Sequence, residues 1–253
     1  MKKVLGLALG SGGAKGIVHI GALQALEEEN IKFKVVTGSS IGSIIAGMYA
    51  LGYTSREMMG LINEMGLNKL RFILGVKFKN QPLQDVLKNL LGEVTFNDLL
   101  VPYSAVATNL DTGKEEIINK GDLCLAMAAS SAIPPAFNPV IINGKRLVDG
   151  AFLNSIPADV CKNMGANYVL GIDLSADRPM NFSALKVLKG LKVNHSVKKC
   201  SRSYNGYKYA DIIIAPDLTK FHLASVSKSD VLFDIGYTLV KNNISQIKEK
   251  LNV

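Results

Sequence analysis

The sequence has few cysteines and no long apolar run, and these absences exclude several classes of protein. Its 253 residues contain three cysteines, at positions 124, 161 and 200. An odd number at such wide spacings favours neither a disulfide framework nor a metal site. No apolar run approaches the ~20 residues that a membrane-spanning helix needs. The first run, residues 4–9, is short and leads into a glycine-rich turn, so we interpret it as a strand and not as a signal peptide. We therefore expect a soluble, cytoplasmic protein.

The residues that are present predict one α/β domain over residues 1–253. Hydrophobic residues make up 48% of the chain and charged residues 20%, which is typical of a globular protein. Short apolar runs alternate with segments of helical periodicity, which indicates a mainly parallel sheet covered by helices on both faces. The predicted strands are 4–9, 35–37, 103–109, 115–118, 140–142, 146–148, 168–172 and 212–215. The predicted helices are 17–29, 41–51, one capped by Thr54 and Glu57, 82–91, 122–129, 157–164 and 228–251, with 67–81 irregular.

A serine lies where a strand is predicted to turn sharply into a helix. The pentapeptide Gly38-x-Ser40-x-Gly42 follows a β-branched run and precedes an apolar helix. This is the sequence pattern of a nucleophile elbow, in which glycines stand where side chains would clash. Backbone amides at the start of the helix would face a developing oxyanion beside the serine. The pattern favours acyl transfer through Ser40.

Histidine, the usual partner of such a serine, is scarce. The chain has three, and none is an evident base for Ser40. His19 lies in the first predicted helix near a glycine-rich turn and is read as a packing or hydrogen-bonding residue. His195 and His222 are read as surface residues.

Residues 10–16 form a glycine-rich segment between the first strand and the first helix. A phosphate-binding loop needs Ser or Thr after its lysine, but Gly16 follows Lys15. A dinucleotide fingerprint that begins at Gly10 needs glycine at position 15. The remaining interpretations are a plain turn, or backbone amides of Gly12 and Gly13 that form an oxyanion hole.

Asp149 follows a predicted hairpin strand and precedes Gly150. An isolated Asp-Gly pair is commonly only a turn, but an aspartate at a rigid strand end is a candidate base for a serine without histidine. An ordinary carboxylate, with a pKa near ~3.9, is a poor base for a hydroxyl. The site would have to desolvate Asp149 or couple proton transfer to the attack on the ester.

Four segments carry a family resemblance: residues 11–16, 38–42, 129–137 and 149–151. In this order and spacing they resemble the patatin-like phospholipases in their short bacterial form, over residues 4–173. The resemblance implies a three-layer α/β/α fold and hydrolysis of acyl esters of lipids. It also implies a Ser–Asp dyad that uses no metal, no cofactor and no catalytic histidine.

The resemblance assigns roles to individual residues. Ser40 corresponds to the nucleophile and Asp149 to the proton acceptor. The oxyanion hole is assigned to Gly12, Gly13, Lys15 and Ile41, where Lys15 occupies a position that is Arg or Lys in the family. The elbow and motif glycines are Gly16, Gly38, Gly42 and Gly150. One departure is Ser11, which begins what is a glycine triplet in the family, so the turn there is expected to differ.

The excess charge lies in one part of the chain, which we call the basic segment, residues 178–208. It carries eight basic residues and no acidic one, against a net charge of +8 for the whole chain. A solvated helix that covers the core would explain it, as would a lid or face, 183–208, drawn to anionic lipid headgroups. Nucleic acid is not an expected partner.

Beyond the hydrolase, an acyltransferase or thioesterase with the same dyad and a non-catalytic lipid-sensing adaptor remain alternatives. The C-terminal strand and helix, 211–251, complete the predicted domain.

Overall fold

The computed structural model describes residues 3–73, 82–175, 204–221 and 228–253. Most of the basic segment, His195 and His222 lie outside these ranges, and so does Cys200. Residues 65–73 and 204 are described by their backbone alone. Within these ranges, no helix is long and apolar enough to cross a membrane.

Among the described residues, the centre of the fold is a sheet of eight strands. Its strands are β1 Leu5–Leu9, β2 Val35–Ser39, β3 Tyr103–Asn109, β4 Lys114–Ile118, β5 Val140–Ile142, β6 Lys145–Asp149, β7 Tyr168–Ile172 and β8 Ile212–Ile214. Hydrogen-bonded neighbours follow the order β5-β6-β3-β2-β1-β7-β8, and β4 also pairs with β3. Strands β3, β2, β1, β7 and β8 run parallel to one another, whereas β4, β5 and β6 form antiparallel pairs. The predicted mainly parallel sheet is confirmed.

Helices cover both faces of the sheet. They are α1 Ile17–Glu28, α2 Ile41–Ala50, α3 Ser55–Ile73, α4 Leu83–Leu91, α5 Leu123–Ser131, α6 Ala158–Asn163, α7 Tyr204–Tyr209, α8 Ser229–Asn242 and α9 Ile244–Leu251. Leu7 and Leu9 of β1 point into a large cluster with α1–α5, α8 and α9. Ala8 points to the opposite face, into a smaller cluster with Cys161 of α6. This alternation is what a strand buried on both faces requires, and the three-layer α/β/α fold is confirmed.

Two local predictions depend on turn and cap chemistry, and both are confirmed. The Thr54 backbone N–H donates to the Glu57 carboxylate at 2.8 Å, and the Glu57 N–H donates back to the Thr54 hydroxyl at 3.3 Å. This is the capping box at the start of α3. Asn143 and Gly144, between β5 and β6, both have positive φ, 50° and 76°, as a type I′ hairpin turn requires.

Two predictions about helices are wrong. Residues 67–81 are predicted to be irregular, but 67–73 continue α3 to Ile73, because one glycine such as Gly66 costs a helix only about 1 kcal/mol. The rest of that segment, 74–81, lies outside the described ranges. The single C-terminal helix predicted over 228–251 is two helices that meet at Asn243, whose ψ of 10° leaves the helical range. The Asn243 side-chain amide donates to the Leu239 carbonyl at 2.8 Å, a local bond that competes with the helical pattern.

Candidate active site

Ser40 lies between the last residue of β2 and the first residue of α2. Its backbone has φ 57° and ψ −133°, a strained conformation for a residue with a side chain. The turn is tight enough that a Cβ at Gly38 would overlap the Gly42 carbonyl. A Cβ at Gly42 would overlap the carbonyl of Leu9, because the start of α2 lies directly against the end of β1. The strand, the sharp turn and the helix that the nucleophile-elbow pattern predicts are therefore all present.

The register of β3 places the ends of β2 and β6 beside each other. Ala105 and Val106 pair with both β2 and β4, whereas 107–109 pair with both β4 and β6. Each strand has two edges, and β4 pairs with one edge of β3 along all of 105–109. β2 and β6 must therefore both pair with the other edge of β3, one after the other along its length. β2 ends at Ser39 opposite Val106, and β6 ends at Asp149 opposite Ala107. Neighbouring residues of a strand are about 3.3 Å apart, so the residues that follow β2 and end β6 lie at one point of the sheet.

Hydrogen bonds hold both the main chain and the carboxylate of Asp149. Its N–H donates to the Ala132 carbonyl at 3.0 Å, and its carbonyl accepts from the Thr108 hydroxyl at 2.9 Å. The Ala151 N–H donates to carboxylate oxygen Oδ1 at 2.8 Å. The residue is 1% exposed. The carboxylate is therefore both buried and fixed in orientation, as the sequence hypothesis of a rigid strand end requires.

Gly150 allows the chain to leave β6 at this crowded point. A Cβ there would overlap the Val106 carbonyl and approach the Ser39 hydroxyl. Residue 150 thus lies in contact with the end of β2, which confirms that the two strand ends meet. Any side chain at this position would displace the chain where it leaves β6, directly after Asp149.

The glycine-rich segment lies beside the elbow. The Gly10 N–H donates to the Ile172 carbonyl at 2.9 Å, and a 3₁₀ turn follows over Gly13–Gly16. Gly13 has φ 58°, which favours glycine. A Cβ at Gly16 would overlap the Ile41 side chain, so the turn packs against the start of α2. Within the described ranges, no hydrogen bond engages the backbone amides of Gly12, Gly13 or Ile41.

Lys15 differs from its neighbours in the turn. Its N–H donates to the Gly12 carbonyl at 3.3 Å, so this amide is engaged within the turn. Its side chain is buried. The pKa of Asp217 is lowered chiefly by hydrogen bonds from Thr219, and the positive charge of Lys15 lowers it further. The amides that remain available beside Ser40 are those of Gly12, Gly13 and Ile41.

Ser11 fits the turn without the strain that its Cβ suggested. It is absent from the described residues with positive φ, so a side chain is tolerated. Its N–H donates to the Ser155 carbonyl at 3.1 Å, and the two hydroxyls are 2.6 Å apart. The serine thus adds a second bond between the glycine-rich segment and the chain that follows Asp149.

His19 is a buried hydrogen-bonding residue, as predicted. Its Nε2 donates to the Gly10 carbonyl at 2.8 Å, and the side chain is fully buried. Burial lowers the pKa of its imidazole to about 4, partly opposed by the bond to Gly10. The ring is therefore neutral at pH 7 and helps to hold the residue at which the glycine-rich segment begins.

Ser130, in α5, contacts the elbow, but the sequence identified it only as part of the segment 129–137. The Ser40 N–H donates to both the carbonyl and the hydroxyl of Ser130, each at 3.1 Å. The Ser130 hydroxyl donates in turn to the Val106 carbonyl at 2.6 Å. The position of the segment in the motif order was the available signal, but no local pattern indicates these partners.

Among the described residues, no group of three or more His, Cys, Asp or Glu could hold a metal ion.

Known proteins share both the sequence and the fold. A family model described as patatin-like phospholipase matches residues 7–162. A patatin-like phospholipase domain-containing protein of Caenorhabditis elegans is 33% identical over 190 residues, which cover 70% of this chain and 14% of that protein. An uncharacterized NTE family protein of Mycobacterium tuberculosis is 33% identical over 184 residues, 67% of this chain and 48% of that protein. The chain thus spans about half or less of the length of these relatives.

Among solved structures, VipD of Legionella pneumophila superposes with a TM-score of 0.54 at 15% identity. The superposition covers 95% of this chain and 67% of the VipD chain. The type III effector ExoU superposes with a TM-score of 0.50 at 16% identity. That superposition covers 96% of this chain and 53% of the ExoU chain. These similarities concern the fold. Since the family model spans more than half of the sequence, the predicted relationship is confirmed, and this chain belongs to the patatin-like phospholipase family.

Proposed function

We propose that this protein is a serine acyl hydrolase that cleaves lipid esters, with Ser40 as nucleophile and Asp149 as its proton acceptor. The observation that carries the proposal is the end-to-end meeting of β2 and β6 on one edge of β3. It brings a strained, buried serine and a buried carboxylate to the same point of the sheet. Strained serines at strand-to-helix turns are typical of nucleophiles, and paired side chains of this kind are typical of covalent catalysis.

The reaction has two steps. Ser40 Oγ attacks the ester carbonyl carbon while its proton passes to the Asp149 carboxylate. The tetrahedral oxyanion accepts hydrogen bonds from the amides of Gly12, Gly13 and Ile41, and it collapses when the protonated Asp149 donates to the leaving alcohol. An acyl-enzyme on Ser40 remains. Asp149 then takes a proton from water, whose oxygen attacks the acyl carbon. The second tetrahedral intermediate collapses as the bond from its carbon to Ser40 Oγ breaks and Asp149 returns the proton to Oγ, which releases the fatty acid and regenerates both residues.

Burial favours this use of an aspartate. In water a carboxylate is too weak a base for a hydroxyl, but desolvation raises its basicity. Asp149 is 1% exposed, and one of its oxygens is fixed by the Ala151 amide. The positive end of the α2 dipole, at Ile41, favours the negative charge that develops on the substrate oxygen.

The substrate class follows from the family. Relatives include a protein named neuropathy target esterase of Drosophila melanogaster and one named lysophospholipase of Meyerozyma guilliermondii. We infer an acyl ester of a lipid for this chain as well. The basic segment, whose charge is known from sequence, would draw the protein to anionic membranes through residues 183–208 from the cytoplasmic side. Sedimentation with phosphatidylglycerol vesicles that is lost at high salt would support this contact, and binding that ignores salt would contradict it.

Labelling with a fluorophosphonate probe and hydrolysis of a short-chain p-nitrophenyl ester test the dyad. Ser40→Ala should abolish labelling, and Ser40→Ala and Asp149→Asn should each reduce hydrolysis by about a thousandfold or more. Ser104→Ala is the matched control, because Ser104 is buried in β3 but its hydroxyl contacts Met164 Sδ. It should behave as wild type.

Each outcome is decisive if circular dichroism shows that the variants are folded. Unchanged hydrolysis in Ser40→Ala would exclude the proposed nucleophile, and unchanged hydrolysis in Asp149→Asn would exclude the proposed base. A wild type that neither labels nor hydrolyses esters would favour the adaptor alternative. Product analysis with a lipid alcohol present separates a hydrolase from a transferase, since only the transferase forms a new ester.

A further inference from the structure

The strained backbone of Ser40 needs partners that hold it in place. With φ 57° and ψ −133°, the residue is outside the conformations that a serine adopts freely. Such conformations persist only where surrounding contacts over-determine them. The Ser40 carbonyl accepts from the amide and the hydroxyl of Ser43, at 2.8 and 2.7 Å, within the first turn of α2. The Ser40 amide is held from outside that helix, by Ser130 alone among the described residues.

Ser130 connects this amide to the central sheet. Its hydroxyl accepts the Ser40 N–H at 3.1 Å and donates its own proton to the Val106 carbonyl at 2.6 Å. Val106 is the residue opposite the end of β2, and its carbonyl is also the atom against which Gly150 packs. One hydroxyl therefore links the residue after β2 to the point where the end of β6 is anchored.

We propose that Ser130 is a positioning residue that holds Ser40 at its reactive distance and orientation relative to Asp149. The inference rests on the proposed roles of Ser40 and Asp149. Because the Ser40 N–H donates to Ser130, it points away from the oxyanion. The next backbone amide, that of Ile41, then faces the oxyanion. This is the donor that a nucleophile elbow uses.

The chain supplies a matched control in the next residue. Ser131 lies at the end of the same helix and is 4% exposed, against 0% for Ser130. Its hydroxyl has no hydrogen-bond partner among the described residues. Ser130→Ala and Ser131→Ala therefore remove the same atom from neighbouring buried positions, but the first alone breaks a link to Ser40.

The test measures the second-order rate constant of fluorophosphonate labelling, kcat and KM on a short-chain ester, and hydrogen exchange of the Ser40 amide. In Ser130→Ala the bond to the Ser130 carbonyl remains. Labelling and kcat should therefore fall by about tenfold, the effect of losing one hydrogen bond, with KM little changed. Exchange at Ser40 should accelerate. Ser131→Ala should match wild type in all readouts, and Ser130→Thr, which keeps a hydroxyl, should recover most of the labelling rate.

Equal labelling rates and equal Ser40 exchange in Ser130→Ala and Ser131→Ala would overturn the positioning role while leaving Ser40 as nucleophile. A uniform loss of stability without a change in kcat or Ser40 exchange would also overturn it, because it would show an ordinary packing role. If wild type does not label, the proposed function fails. Hydrogen exchange then decides separately whether Ser130 holds the Ser40 amide.

Discussion

The buried imidazole of His19 should make this protein lose stability as the pH falls from 7 to 4. The side chain is fully buried, and its Nε2 donates to the Gly10 carbonyl. Its Nδ1 has no hydrogen-bond partner among the described residues, so a second proton would be buried without an acceptor. Burial accordingly lowers the pKa from 6.5 to about 4. Substitution of His19 by glutamine removes the titrating group and keeps a side-chain N–H for Gly10.

The magnitude follows from the two pKa values. Above pH 7 the imidazole is neutral in both the folded and the unfolded chain, and it adds no pH dependence. As the pH drops below 6.5, the His19 imidazole binds a proton in the unfolded chain. In the folded chain it binds that proton only near pH 4. Unfolding is therefore favoured by about 2 kcal/mol at pH 5, relative to pH 8, and by about 3 kcal/mol below pH 4.

Urea unfolding at pH 8, 7, 6 and 5 measures this loss. The chain contains no tryptophan, so far-ultraviolet circular dichroism is the suitable signal. Between pH 8 and pH 5 the free energy of unfolding should fall by about 2 kcal/mol more in wild type than in His19→Gln. The other titratable groups are the same in both proteins, so their contribution cancels in the difference. Parallel pH curves would refute the reasoning, since they would mean that His19 titrates alike in both states.

Three further stability predictions follow from the surroundings of individual residues. Gly42→Ala should lower the free energy of unfolding by about 3 kcal/mol, because its Cβ would overlap the Leu9 carbonyl. Gly60 lies inside α3, and apart from that helix's own backbone no atom of the described residues comes within 4 Å of a Cβ at this position. Gly60→Ala should therefore raise the free energy of unfolding by about 0.5–1 kcal/mol. Ser11→Ala and Ser155→Ala should each cost about 1 kcal/mol or more, because each leaves the other buried hydroxyl without its 2.6 Å partner. The double variant should lose less than the sum of the two.

Denaturant unfolding decides these predictions. A tolerated Gly42→Ala would mean that α2 does not lie directly against the end of β1. A destabilised Gly60→Ala would contradict the open space around this position among the described residues. Additive losses for the Ser11 and Ser155 variants would show that the two hydroxyls do not interact.

Many elements could be predicted because they depend on neighbouring residues. The hairpin turn at Asn143 and Gly144 needs two positive φ angles, and Thr54 and Glu57 are three residues apart, so both patterns are complete within a few positions. The break at Asn243 was missed because one asparagine in an otherwise helical sequence is a weak signal. Its side-chain bond to Leu239 decides the outcome locally.

The candidate site was predictable in part for the same reason. The elbow around Ser40 and the glycines at 12 and 13 are short-range patterns, and Asp149 was found through the motif order. Ser130 and the Ser11–Ser155 bond could not be predicted in their roles. Their partners are 90 and 144 residues away in sequence, and no local pattern encodes such a distance.

The sequence by itself determined the alternation of strands and helices, the sharp turn at Ser40 and the family to which the chain belongs. These depend on local conformational preferences and on the order of motifs. Only the tertiary structure decided that β2 and β6 end against consecutive residues of β3, with Ser130 joining the elbow to Val106. Strand register is set by the packing of the whole sheet, and the proposed pairing of Ser40 with Asp149 depends on that register.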